Sequence, residues 1–323
     1  MSLAVRTCAA VSLALAALAS TPAAAGPLVG HCGRPAELDA PRQDTLLRFS
    51  AIIRSTLEDS GARLAIVARS GLDLGRFGLR YSHAGLSLRA SPNTPWSVRQ
   101  LYYDCDEGRS RIFDEGLAGF VTGTGDPSAG YVVAILVPGA EAALERTARD
   151  DRLALRLVGG RYSANAFAFG LDHQNCNQWL AELMGVAWGD LMESADPRAD
   201  AQRWLMAEGY EPTRIDVGNP LLVLAAAVLP WTHLAGHPAA DLEAGRFRVS
   251  MPQSIEGFAR TRVPGARRIE FCHANGRVVV REGWEPIAPG CEPGGGDRVI
   301  ELDRGRLTPS FPPSRTSPPR PTS

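Results

Sequence analysis

Tyr81-Ser82-His83-Ala84-Gly85-Leu86 is the stretch from which the rest of the chain is read. It belongs to a run of aromatic, aliphatic and small residues that predicts a strand over 79–88. In a strand, residues two apart share a face. Gly85 therefore falls on the side of His83, where a missing side chain clears space beside the imidazole, as a substrate path requires. A histidine in a strand is by itself more often a packed core residue than a reactive one. The weight of this reading depends on a second segment far along the chain.

That segment is Gln174-Asn175-Cys176-Asn177-Gln178-Trp179. The pattern predicts a helix over 176–186 with Asn175 as its N-cap. Cys176 then opens the helix, where the positive end of the backbone dipole lowers a thiol's pKa. A neighbouring His83 completes the activation by taking the proton. A third group usually orients such a histidine. The predicted strand over 98–104 is its natural source, and Gln100, Tyr102 and Asp104 share one face of it. Gln100 and Asp104 can each accept from a ring N–H, and the sequence does not choose between them. Asn175 and the backbone N–H of Cys176 are the candidates for stabilising an oxyanion.

Outward from these segments, helical periodicity predicts helices over 42–60, 140–157, 199–208 and 250–262, the last with Ser250 as cap. Apolar runs predict strands over 64–67 and 131–137, and 162–169 reads as extended. Asn275-Gly276 is a turn signal between strands over 268–272 and 277–281. Leu221 to Trp231 is apolar but too short to span a bilayer, which needs about 20 residues, so it reads as buried core or an interfacial segment. The acidic residues Asp104, Asp106, Glu107, Asp114 and Glu115 lack calcium-loop spacing and read as a solvated loop. Strands and helices mix without βαβ alternation, so the expected class is α+β.

The first 25 residues read as a cleavable signal peptide. Arg6 precedes an apolar run from Cys8 to Ala19, and Ala23-Ala24-Ala25 supplies a cleavage site. The expected location is periplasmic or secreted, with no integral membrane span after cleavage. Residues 26–304 then form a single α+β domain ending in a β-hairpin region, and 305–323 form a disordered Pro/Ser/Arg-rich tail. The apolar fraction of 45% is ordinary for a folded domain, and a net charge of −1 gives no electrostatic case for nucleic acid.

Cys32, Cys105, Cys176, Cys272 and Cys291 follow the leader, an odd number in an oxidising compartment, so at least one thiol is left over. There is no C-x-x-C pair to suggest a zinc ribbon. His233 and His237, with Asp241 beyond, would share a helical face and could hold a metal. Gly236 and Pro238 interrupt such a helix and no H-E-x-x-H motif is present, so the preferred reading is a loop closed by polar residues. No cofactor is implied.

Ser82-His83-Ala84-Gly85 resembles the histidine strand of the circularly permuted papain-like hydrolases, relatives of the NlpC-type cell-wall peptidases. In those proteins the histidine strand precedes the cysteine helix, as His83 precedes Cys176 here. More closely, the chain resembles a bacterial domain-of-unknown-function family, number 2145. The segments that carry this likeness include Arg69-Ser70-Gly71-Leu72-Asp73, 80–85, Trp96 to Tyr102, 174–179, Trp231-Thr232-His233, His237-Pro238 and Arg248 to Pro252. The resemblance implies a permuted papain-like fold, with Cys176 as nucleophile and His83 as base. The third polar group of those enzymes is often a glutamate on the next strand, and 98–104 holds none. With Cys176 left free, the other four cysteines allow three pairings, and Cys32–Cys105 with Cys272–Cys291 is the preferred one. The expected function is an exported cysteine hydrolase or transferase acting on an amide or ester bond. Cell-wall peptide is the first substrate to consider and an acyl lipid the second. The alternative is a non-catalytic envelope binding module of the same fold.

Overall fold

A computed structural model of the chain describes residues 38–123, 130–227, 229 and 231–302. The expected leader, Cys32 and the expected tail lie outside them.

Helix α1 (Ala40–Asp59) opens the described chain and is capped by Asp39, whose side chain accepts from the N–H of Arg42. Strands β1 (Leu64–Arg69), β2 (His83–Leu88), β3 (Ser97–Asp104) and β4 (Arg109–Glu115) follow, then α2 (Leu117–Thr122), β5 (Tyr131–Leu136), α3 (Glu141–Arg149) and α4 (Asp151–Arg156). The middle of the chain holds α5 (Cys176–Trp188), α6 (Pro197–Ala207), β6 (Thr213–Asp216), α7 (Pro220–Ala226), α8 (Ala239–Glu243) and β7 (Arg246–Val249). Last come α9 (Pro252–Arg262), β8 (Arg267–Ala274), β9 (Arg277–Glu282) and β10 (Arg298–Glu301). The fold is α+β. Its main sheet has eight strands in the order β10-β9-β8-β5-β1-β2-β3-β4, and β6 and β7 form a separate ribbon. All the strand pairs are antiparallel.

Strand β1 is buried along its whole length because both sheet faces are covered. Alternation along the strand divides the core in two. Ala65 and Val67 face the stripe Leu46, Phe49, Ile53 and Leu57 of α1, with Phe120 and Val121 of α2. Leu64, Ile66 and Ala68 face the other way, toward α5 and its neighbours α3, α4 and α9. Helix α5 is buried from Cys176 to Ala187. A helix apolar on most sides belongs inside such a layer.

Several expected elements differ from those observed. The acidic segment read as a loop is a β3–β4 hairpin, turned at Gly108 with φ 66°. Its short turn left little separating one strand from the next in the sequence. The single helix expected over 140–157 is two, because Asp150 leaves helical geometry and caps α4 through the N–H of Leu153. Residues 162–169 form no strand and contribute only the isolated bridges of Tyr162 with Gln174 and Phe167 with Val249. Helix α9 begins at Pro252 with Met251 at the cap and no capping side chain, so Ser250 does not have the expected role. The turn at Asn275-Gly276 is as expected, with positive φ at both residues. No helix among the described residues is long and apolar enough to cross a membrane.

Candidate functional site

The two segments singled out in the sequence meet where β2 begins and α5 begins. Asn177, in the first turn of α5, donates its side-chain N–H to the carbonyl of Ser82 at 3.2 Å. That bond ties the helix start to the residue before His83. The lead-in to β2 is held from the other side by buried Glu270, which accepts from Tyr81 and from Arg80 (2.7 Å). Burial works against the Glu270 carboxylate. Arg268, Tyr81 and the N–H of Ile287 outweigh it and hold its pKa below the ordinary carboxylate value.

His83 is buried, and its Nε2 is hydrogen-bonded to Oε1 of Gln100. An amide oxygen only accepts, so Nε2 carries the proton and Nδ1 is the basic nitrogen. The Gln100 amide in turn donates to Glu115. This bond sets the orientation of the amide, and with it the tautomer of the imidazole. Burial raises the pKa of Glu115, against the opposing pull of Gln100 and Arg69. The orienting group is therefore Gln100, backed by a glutamate one strand beyond the one searched. Asp104 is not part of this set. Its Oδ1 accepts from the N–H groups of Asp106 and Glu107, both at 3.1 Å, and so closes the β3–β4 turn.

Gly85 has a different job from the one expected. A Cβ added there would meet Cγ1 of Val98 at 2.7 Å, the carbonyl of Arg99 at 2.9 Å and Cβ of Gln100 at 3.1 Å. The space is filled by β3 rather than left open for a substrate. The glycine lets β3 approach closely enough for Gln100 to reach the imidazole.

Asn175 is the N-cap of α5, accepting from the N–H of Gln178 at 2.7 Å. Its amide also donates to the carbonyls of Ser250 (3.2 Å) and Ala164 (3.4 Å). With its side chain spent on the backbone, Asn175 is a structural cap and not an oxyanion donor. The backbone N–H groups of Cys176 and Asn177 point at the thiol instead and favour its ionised form.

Cys176 is the free cysteine among the described residues and is 9% exposed. Burial pushes its thiol up to about 11, against the N–H groups and the nearby charge of Arg69. This reverses the expected lowering. The thiol also has no side-chain hydrogen-bond partner among the described residues, so at neutral pH it rests protonated. Cys272 is bonded to Cys291, and Cys105 is also disulfide-bonded.

His233 and His237 are not arranged as a ligand pair. His233 stacks on His173 with ring centroids 4.3 Å apart, while Nε2 of His237 is spent on the carbonyl of Asn165 at 2.8 Å. No group of three or more His, Cys, Asp or Glu side chains suited to a metal exists among the described residues. A surface hollow of about 430 Å³ near Phe169, Tyr210, Arg214 and Arg248 contains none of the candidate residues.

Sequence reading missed Glu115 and gave no role to Arg69 or Asn177. Glu115 was hidden by the unrecognised hairpin. Arg69 ends β1 directly opposite His83 in the register, a relation invisible without the strand pairing.

No curated protein and no solved structure matches the chain. A family model matches residues 56–259, a span that includes His83, Gln100, Glu115 and Cys176. The chain belongs to that family, DUF2145, described as an uncharacterized protein conserved in bacteria.

Proposed function

We propose that this chain is an exported cysteine hydrolase or transferase acting on an amide or ester bond, with a circularly permuted papain-like arrangement. The observation that carries the reading is the meeting of a helix-opening cysteine with a histidine strand whose imidazole is fixed by Gln100 and Glu115. In the proposed cycle, substrate binding excludes water and brings the carbonyl against Cys176. The thiol proton passes to Nδ1 of His83 as sulfur bonds to the carbonyl carbon. The developing oxyanion takes the N–H groups of Cys176 and Asn177. His83 returns the proton to the departing amine or alcohol. Water, or another acceptor in a transferase, then cleaves the thioester and restores the thiol.

A protonated resting thiol fits this scheme if the proton moves only in the substrate complex. Cell-wall peptide is the first substrate class to try, then ester-linked lipid. The test is incubation with muropeptides and with ester-linked lipids, following product release and the mass of the intact protein. The expected result is turnover in one class that Cys176→Ala and His83→Ala both abolish, with an acyl adduct on Cys176. Absence of Cys176-dependent turnover in both classes counts against the proposal.

The burial of Cys176 favours a second reading, a non-catalytic envelope module in which the thiol is packing. The acyl adduct distinguishes the two, since a module binds its partner without forming a covalent bond to Cys176.

A further inference from the structure

We infer that Arg69 is an anion-recognition residue of the Cys176 site, taking a substrate carboxylate that lies close to the scissile carbonyl. This rests on the reading of Cys176 as the nucleophile.

Arg69 is 5% exposed, yet no carboxylate lies within ion-pair distance of it among the described residues. Every comparable buried arginine is paired: Arg99 with Asp114, Arg198 with Glu182, and Arg268 with Glu270. Glu115 acts on Arg69 through space without an ion pair, and removing a guanidinium from water without a carboxylate bonded to it is costly. The carbonyls of Ser70 and Gly123 and the hydroxyl of Tyr102 engage the group without neutralising it. Its Nε has no partner. The Nε–H donor is thus left for an anion, and a guanidinium suits a carboxylate.

The position is built for this side chain. A Cβ at Gly123 would lie 2.5 Å from Nη2 of Arg69, and one at Gly71 would lie 3.0 Å from Nη1. Phe120 covers one face of the guanidinium at 5.5 Å. Tyr102 is 39% exposed and links the buried cation to solvent. Arg69 is the cross-strand neighbour of His83, and its charge reaches Cys176. A carboxylate bound there would sit beside the cross-strand position of His83 and within electrostatic reach of Cys176.

The experiment compares alkylation of Cys176 by iodoacetate and iodoacetamide at one pH. Both reagents meet the same thiolate fraction, so the ratio of their rates cancels the ionisation of the thiol and reports on the carboxylate alone. Free cysteine supplies the reference ratio. The expected ratio in the wild-type protein exceeds the reference by about tenfold, the effect of one charged hydrogen-bonded contact. Arg69→Gln should return it to the reference, while Arg69→Lys retains part of it. A wild-type ratio equal to the reference overturns the proposal and leaves Cys176 as nucleophile untouched.

A second measurement needs no thiol. Succinate should raise the melting temperature of the Cys176→Ala protein saturably, succinamide should not, and Arg69→Gln should abolish the effect. Equal responses to succinate and succinamide overturn the proposal whatever the alkylation result. Failure of both alkylating reagents to label Cys176, with the succinate effect intact, removes the nucleophile reading and keeps the anion site.

Discussion

Cys176 lies where two physical effects oppose each other. A helix N-terminus offers a charge about 0.3–1 kcal/mol, less than one pKa unit. Burial outweighs it and carries the thiol from 9.0 to about 11. The sign of the stability effect follows. An unfolded thiol releases its proton near its ordinary value, and the folded one holds it for about two units more. Stability from this group is whole below about pH 9 and falls as pH rises toward 11, by about 1.4 kcal/mol per unit. Urea unfolding at about pH 8 and about pH 10 should show this decline in the wild type and a flatter one in Cys176→Ala. Identical declines would mean that the thiol ionises normally when folded. Gly85 supports a second prediction at this scale. Gly85→Ala drives a methyl group into Val98 and the Arg99 carbonyl, which should cost about 1–3 kcal/mol. It should also loosen Gln100 from His83, visible as changed imidazole chemical shifts by NMR. A stable variant with an unchanged imidazole would mean that β3 has room to move.

Helix α5 opens with Cys176, and a buried polar network holds the helix in place. Glu182, 0% exposed, accepts from Gln174, Gln178, Arg198 and Gln202. Burial raises its pKa, and Arg198 pulls the other way. Arg198 also donates to the carbonyl of Leu171 at 3.0 Å, so α5, α6 and the segment leading into Cys176 are fastened together. Glu182→Leu strands Arg198 as an unpaired buried charge and should destabilise the fold by about 3–5 kcal/mol. Adding Arg198→Leu should recover part of that loss in denaturant titrations, since it removes the stranded charge. A double variant no more stable than the single one would mean that the pair is not energetically coupled. At this level much was legible in advance. Asn175 was readable as a cap from its residue type and from the helical pattern after it. Glu182 was not, because a glutamate on a helix is usually solvated, and only the packing of α6 and Gln174 around it makes it internal.

Across the molecule, the Cys272–Cys291 disulfide closes a loop with a sequence separation of 19. The segment it closes returns to the sheet, where the N–H of Ile287 bonds to Glu270 (2.6 Å) and that of Cys291 to Tyr131 (2.8 Å). Glu270 also holds Arg80 and Tyr81 ahead of His83. The loop that the disulfide closes is thus linked through Glu270 to the residues that lead into His83. Cys272→Ala with Cys291→Ala should cost about 2–4 kcal/mol by freeing the unfolded chain, measured as a lower unfolding midpoint. A midpoint unchanged from wild type would mean that the hydrogen bonds alone hold the segment.

The α+β class, the helix opened by Cys176 and the 275–276 turn were determined by the sequence alone. Hydrophobic periodicity, capping and turn chemistry are local properties written in neighbouring residues. The choice of Gln100 over Asp104, the backing by Glu115, the committed state of Asn175 and the unpaired charge of Arg69 were decided only by tertiary structure. Each depends on which strand lies beside which and on how much water is excluded. Both follow from long-range packing that no short window of sequence contains.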